Sequence, residues 1–577
     1  MNIGLFLLLR RMRLPLVVLI LAYAVSVLGF VLIPGMDPQG RPWRMDFFHA
    51  FYFVSFMGST IGFGEVPYPF TDAQRLWTTF TIYLTVTAWL YAIGSLLATL
   101  RDPAFRRVII DTRFRRNVRH INEPFFLVCG YGDTGSLLVR ELAARGLRAV
   151  VLDSAQERID ALAIEDLGVF VPGICADATD PDALVAAGLT HPRCAGVLAL
   201  TRADDVNLKV AITGKLLNPS LRVICRAESH DTEANMESFG TDHVLNPFDI
   251  FADRLAMAIH SPSRHAIFEW LTSTRRMPLT EFLTPPRGTW ILCGYGRFGK
   301  ALQRYLDFQG IRTVIVEAEP ARTQAPPDAV VGRGTEAVTL REAGIRQAVG
   351  LVAGTDNDTN NLSIIVTARS LNPRLFLAAR QNQRANRAVF QAARLDLVMQ
   401  PAGIIARQIL ALITTPLLSE FLRLARHHDD DWANALVSRI IGVVGDEAPD
   451  TWHLEVDAAH APALWDALRA GEELRLAHLY ADPRDRARQL PCLALLLKRG
   501  EEEVLLPEDS QSLCPGDRIL FCGPPDAAAP MAWTASNHNV LDYVRNGTER
   551  PSGLLWSWLA GRRQAGRKLN PDHGRMV

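Results

Sequence analysis

Two long apolar runs stand near the start of the chain, and beyond Arg119 the pattern changes to short apolar strands alternating with amphipathic helices. The first run, Leu14 to Ile33, is interrupted only by Pro15, Tyr23, Ser26 and Gly29. It is long enough to cross a hydrocarbon core about 30 Å thick. The second, Leu76 to Leu100, carries no charge. Both are read as membrane helices, 14–33 and 76–100. "AYA" at Ala22 to Ala24 imitates a signal-peptidase site, but the apolar run continues past it and a second run follows, which favours a retained span. Between them, Met45 to Gly58 is aromatic-rich and too short to span. With Asp46 as its N-cap it suits a half-helix that enters the membrane and stops.

Charge orients these segments. The whole chain balances at 61 basic and 61 acidic residues, so no global excess marks a nucleic-acid binder. Locally, Arg10, Arg11 and Arg13 precede the first span, and Arg101, Arg106, Arg107, Arg113, Arg115, Arg116 and Arg119 follow the second. The positive-inside rule then places both termini in the cytoplasm of a multi-pass plasma-membrane protein. Residues 101–123 form the linker to the rest of the chain.

The stretch Ser59 to Glu65, within the expected 46–66 re-entrant segment, reads "STIGFGE". Non-helical backbone survives at membrane depth only when buried in protein or lining water. Thr60-Ile61-Gly62-Phe63-Gly64 resembles the potassium-channel selectivity filter, whose common form is TVGYG. Glycines at 62 and 64 permit backbone angles that turn successive carbonyls toward an axis. Ile61 keeps a β-branched side chain, Phe63 loses the tyrosine hydroxyl, and Glu65 stands where aspartate is commoner. The resemblance implies potassium ions in the filter and four chains around it. Gly94, inside the second span, is either the family's gating hinge or a close-packing glycine.

The remainder repeats itself. "FFLVCGYGDTGSLLVREL" (Phe125 to Leu142) returns as "TWILCGYGRFGKALQRYL" (Thr289 to Leu306), and the matches continue in order through "TRADDVNL" and "TDNDTNNL". Each copy is a strand, a glycine turn and an amphipathic helix, which predicts two doubly wound α/β domains at 124–247 and 287–415. In the first copy Gly130, Gly132 and Gly135 open the helix, with Asp133 and Thr134 between them, and Asp153 ends the next strand. That is the context a dinucleotide fingerprint requires. Gly294, Gly296, Arg297, Phe298, Gly299 and Glu317 repeat it. The acidic residues suit a ribose diol and oppose a 2′-phosphate. Asp177 in the first copy aligns with Arg333 in the second, so the two sites are expected to hold ligands differently. The alternative is that the glycines serve only strand–helix packing.

Pore and repeat together resemble ligand-gated potassium channels with tandem RCK (TrkA-N-like) domains. The resemblance implies a homotetramer with a cytoplasmic gating ring, an NAD-type adenine nucleotide as ligand, and calcium as a further candidate; no metal ligands are assigned. Residues 248–286 look like the family's crossover helices, with Phe248, Ile250, Phe251, Leu255, Ile259, Ile267, Phe268 and Leu271 on the apolar face. Residues 416–525 resemble its small α+β C-terminal lobe, expected to alternate strands with turns. Residues 526–577 are expected to form a mobile tail with a lone apolar patch, Leu554 to Gly561.

Eight scattered cysteines show no CxxC pair and no zinc spacing, and most, lying inside apolar runs, read as small buried hydrophobes of a reducing compartment. Asp429, Asp430 and Asp431 after His427 and His428 read as a solvated loop. The leading function is a nucleotide-regulated potassium channel. A non-selective cation channel with the same regulation rests on Phe63 and Glu65. A membrane-tethered NAD oxidoreductase is disfavoured, because no proton donor or base accompanies either fingerprint.

Overall fold

The computed structural model describes residues 3–64, 66–272 and 283–548. The readings of Glu65 and of the patch Leu554 to Gly561 fall outside the described residues. The chain forms two compact units, which divide mainly at Asn122 and Glu123.

In the first unit, Ile3–Leu32 and Asp72–Arg101 are continuous helices, apolar and long enough over Leu9–Leu32 and Asp72–Arg101 to cross a membrane. The second starts at a capping box, in which Thr71 and Gln74 satisfy each other's free backbone N–H groups. Phe47–Gly58 is the expected short helix, with the Asp46 carboxylate accepting from the His49 N–H at 2.8 Å. Its Ala50, Phe53, Val54 and Phe56 pack with Val27 and Phe30 of the first helix. A Cβ on Gly29 would lie 2.0 Å from the Trp77 indole, so this glycine exists for close helix packing. Much of the expected linker is itself helical: Asp102 caps Pro103–Arg119 and pairs with Arg11.

In the second unit both repeats fold as six-stranded sheets. The first runs Gly173–Cys175, Arg148–Asp153, Phe125–Cys129, Cys194–Ala199, Arg222–Arg226 and His243–Leu245; the second has the equivalent strands in the same order. Numbered along each copy, the order is three-two-one-four-five-six, the dinucleotide-fold arrangement. Strand pairing is parallel, for instance Cys129 opposite Leu152 and Ala199, and Cys293 opposite Val316 and Ala353.

The helices after each sheet are exchanged. Pro247–His260 follows the first sheet, yet its Phe248, Phe251, Leu255 and Ile259 pack with Trp290, Phe298 and Leu302 of the second copy. Pro401–Thr414 follows the second sheet, yet its Ile405, Ile409 and Leu410 pack with Val128, Leu138 and Leu142 of the first. Each such buried aliphatic side chain contributes about 1.5–3 kcal/mol, so the exchange binds the two copies into one body. Of the apolar face expected at 248–286, Phe248 to Ile259 form a seam between copies within one chain, whereas Ile267, Phe268 and Leu271 pack with Leu417, Phe421 and Leu436 instead.

Two expectations for the C-terminal half are corrected. Residues 416–425 do not belong to the terminal lobe alone, although Leu417, Phe421 and Leu422 pack with Leu493, Leu495 and Leu520 of its sheet. Pro416–Ala425 is the counterpart of Pro262–Leu271, and the kinks before them match: Ser261 at φ −142°, ψ 86° and Thr415 at φ −144°, ψ 73°. The tail is not uniformly mobile either. Ala528–Ser536 and His538–Asn546 are helices whose Met531, Ala535 and Leu541 pack into the lobe's core. The lobe itself is an antiparallel sheet, Asp450–Glu455, Arg518–Gly523, Leu493–Arg499 and Glu502–Leu505 in spatial order. Within the stretch expected to be strand, Leu476–Tyr480 is a helical turn, because Leu476, Leu479 and Tyr480 share one buried face at helical spacing.

Candidate functional site

Two places in the chain carry functional geometry. The first is the non-helical segment after Phe47–Gly58. Thr60, Gly62 and Gly64 have φ of 62°, 67° and 78°, so every second residue is left-handed. Glycine adopts this freely, whereas a threonine there is strained, and such strain concentrates at functional sites. The segment hangs from the helix end: Thr60 N–H donates to Met57 O at 3.1 Å and Ile61 N–H to Phe56 O at 3.0 Å. Ile61 and Phe63 are 61% and 67% exposed, and no atom lies within 4 Å of a Cβ built on Gly62 or Gly64. Packing within this chain thus explains neither glycine. Gly94 lies in an unbroken helix with the same open surroundings, unlike Gly29.

The second place is the paired glycine turns. Gly130 is left-handed at φ 103° and Gly294 at 96°. A Cβ on Gly135 would stand 1.9 Å from Gly130 O, and one on Gly299 2.1 Å from Gly294 O. These outer glycines are packing positions. The middle ones are not: a Cβ on Gly132 would meet only Arg158 Nη1 at 3.9 Å, and one on Gly296 would meet nothing within 4 Å. Open space there is what an approaching pyrophosphate needs. Both glycines are N-caps, of Asp133–Ala144 and Arg297–Phe308, so the unpaired N–H groups and positive dipole end face the same place. The residues present fit a dinucleotide phosphate.

Asp153 is only 3% exposed and does more than wait for a ribose. Its carboxylate accepts from Tyr131 N–H at 2.6 Å and Ala155 N–H at 2.8 Å, and pairs with Arg158 at 3.1 Å. Glu317 does the same for Tyr295 N–H at 2.6 Å and Glu319 N–H at 2.9 Å. Each acid locks its glycine turn to the neighbouring strand end. Asp177 and Arg333 occupy equivalent positions, since Ala176 N–H donates to Asp153 O and Gly332 N–H to Glu317 O. The Thr179 N–H holds the Asp177 carboxyl below its usual range.

Some expected contacts belong to the fold instead. Phe298 is 1% exposed and its ring packs at a tilt against Phe248 and Phe251, so only its backbone N–H is left for a ligand. Thr134 is also buried, with Arg226 Nη1 donating to its hydroxyl at 3.4 Å. Asp133 pairs with Arg202 at 3.0 Å, and Arg297 with Glu228 of the first copy at 2.7 Å. Sequence reasoning missed Arg158, and it missed Asn207 and Asn361, whose amides each bind two carbonyls at strand ends (Thr201 and Arg226; Thr355 and Arg380). The aligned "DDVNL" and "DTNNL" already contained that asparagine signal.

Among the described residues two groups could share a cation: His230, Glu233 and Asp249, and Glu455, Asp457 and His460. Arg304 already sits on Asp249 at 2.8 Å in the first, and His460 bonds Asp457 at 2.9 Å in the second. Neither points to calcium. Asp429 caps the helix Asp430–Val444, which corrects the solvated-loop reading of that acidic run. All eight cysteines are free; burial pushes the Cys225 thiol up to about 12.

The glycines separate in a simple experiment. Gly135→Ala should lose about 1–3 kcal/mol of stability, because a backbone carbonyl cannot step aside. Gly132→Ala should melt as the unchanged protein does, yet bind nucleotide weakly. Thermal melting and calorimetric titration of both variants read the two effects apart.

Residues 126–247 and 290–401 match the TrkA-N domain model, and residues 15–102 match the ion channel model. Potassium channel protein 1 of Methanocaldococcus jannaschii is 23% identical over 297 residues, 50% of this chain and 84% of that one. A Trk system potassium uptake protein TrkA homolog of Methanothermobacter thermautotrophicus is 30% identical over 168 residues, 28% of this chain and 76% of that one. An uncharacterized protein of Methanothermus fervidus is matched over only 34% of its own length. Among solved structures, the GsuK channel bound to NAD aligns over 92% of this chain and 99% of its own, at 17% identity and a TM-score of 0.46.

Proposed function

Because the chain belongs to the potassium-channel family in which an ion-channel pore is followed by TrkA-N domains, we propose that four copies form a potassium pore regulated by a cytoplasmic adenine nucleotide. The observation that carries the pore is the left-handed alternation at Thr60, Gly62 and Gly64, exposed between two apolar helices. Carbonyls turned to one side by that alternation replace the hydration shell of a dehydrated cation, provided other copies close the ring. The exposed Ile61 and Phe63 are the faces such copies would cover.

The nucleotide reading rests on the open middle glycines. Gly132 and Gly296, with the N–H groups that follow them, hold the phosphates; Asp153 and Glu317, already holding the turn, present their remaining lone pairs to the ribose. Bound nucleotide contributes charge and hydrogen-bonding surface here, and no chemistry on it is invoked. Arg333 in place of Asp177 makes the second site the weaker or differently selective one. Regulation follows if the ligand's affinity differs between open and closed pores, and it can be no larger than that difference. The orientation is cytoplasmic for both termini, from the arginines that flank the spans.

Reconstituted protein in a planar bilayer should show a reversal potential that follows the potassium gradient, shifting about 59 mV per tenfold change if selectivity is complete, the single-charge equivalent of about 1.4 kcal/mol. Equal permeation of sodium and potassium would instead favour the non-selective channel that Phe63 admits.

A further inference from the structure

Away from both glycine turns, a cavity of about 620 Å³ lies at the seam of the exchanged helices. Its wall combines Leu137 and Glu141 of the first copy, Arg254 and His265 between the copies, and Ile404 and Arg407 after the second. The volume is that of an ordinary small-molecule site. Much of the lining is apolar, including Phe251, Leu255, Trp270 and Leu410.

Its charges do not balance. Arg254, 7% exposed, is paired with Glu269 at 2.8 Å. Glu141 faces Arg145 at 3.5 Å, and Arg387 is exposed to water. Burial holds His265 toward its neutral form. That leaves Arg407, whose Nε is buried without a hydrogen-bond partner and which makes no ion pair among the described residues. It lies near enough to Arg254 and Glu269 to influence both. A half-buried arginine with a buried, unpartnered Nε beside a second arginine, whose carboxylate Glu269 is already taken, is better satisfied once another anion arrives.

The geometry points to a second ligand site in this cavity, for a small organic monocarboxylate with an apolar body, its carboxylate on Arg407. One negative charge closes the inner set of two arginines and one glutamate, whereas a phosphate dianion would overshoot it. Because the wall comes from both copies and both exchanged helix pairs, such a ligand would bridge the two domains independently of nucleotide. The inference does not rest on the pore reading.

The test is calorimetric titration of the full chain in lipid nanodiscs, with empty nanodiscs as the blank, using 3-phenylpropionate and octanoate and their neutral amides. At least one carboxylate should bind saturably and about tenfold or more tighter than its amide. Arg407→Gln should erase that preference. Gly403→Leu should block both forms, since a side chain at Gly403 meets nothing within 4 Å and grows into the cavity. Both variants should keep the nucleotide titration and melting temperature of the unchanged protein. If Arg407→Gln proves unstable, Gly403→Leu alone decides. Failure of both carboxylates to bind, amides binding as tightly, or binding that survives Gly403→Leu would overturn the site.

Discussion

Gly62→Ala should abolish the proposed potassium-selective current while the protein still folds and reaches the membrane. At φ 67° an L-residue costs about 1–2 kcal/mol, and in the proposed ring every copy would bear that cost. The backbone relieves it by rotating, which takes the neighbouring carbonyl off the axis. No packing loss enters, because a Cβ here meets nothing within 4 Å of this chain. Gly94→Ala is the matched control: its surroundings are equally open, but its backbone is helical, so alanine is accommodated without strain. If Gly94 is the hinge, that variant changes open probability and leaves the reversal potential alone. Single-channel recording under asymmetric potassium and sodium distinguishes the two. Normal selective current through Gly62→Ala would sink the filter assignment.

Loss of the Asp153 charge should weaken NAD binding about ten- to more than a hundred-fold, the equivalent of roughly 1.5–3 kcal/mol for charge-assisted hydrogen bonds. The structure dictates which variant to trust. Asp153→Ala also strips acceptors from the Tyr131 and Ala155 N–H groups, so it unsettles the glycine turn itself. Asp153→Asn keeps one acceptor oxygen and removes the charge. Because Tyr131 and Ala155 donate to different carboxylate oxygens, the new NH2 leaves one backbone N–H unpaired, so this variant should melt below the parent but above Asp153→Ala while NAD affinity falls. Unchanged affinity in Asp153→Asn would make the residue purely a brace for the turn.

NAD should bind better than NADP, by repulsion between Asp153 and a 2′-phosphate. Arg158, 3.1 Å from that carboxylate, offsets part of the repulsion, so Arg158→Ala should widen the preference. Glu317→Gln should have a smaller or different effect, given Arg333. Identical behaviour of the two variants would mean that the sites have not diverged.

The sequence by itself determined whatever is local or repeated. Twenty apolar residues need no partner to be recognised as a span. Alternate glycines after Thr60, and glycines at a strand–helix turn, follow from backbone angles that no tertiary context alters. The repeat made the second sheet legible from the first, down to Asp177 opposite Arg333.

Only the tertiary structure decided who packs against whom. An apolar stripe states that a helix face is buried but not against what. So the sequence could not show that Phe248 to Ile259 cover the second copy while Ile405 to Leu410 cover the first. The second kinked pair, Pro401–Thr414 and Pro416–Ala425, went unread because its alanines and leucines share little with the first pair beyond the proline positions. Phe298 looked like a ligand contact from its place in the glycine motif, yet the exchanged helix claimed its ring. The same holds for charge. Arg407 is one arginine among many in the sequence, and its lack of an anion among the described residues matters only once two domains and two exchanged helices close around it.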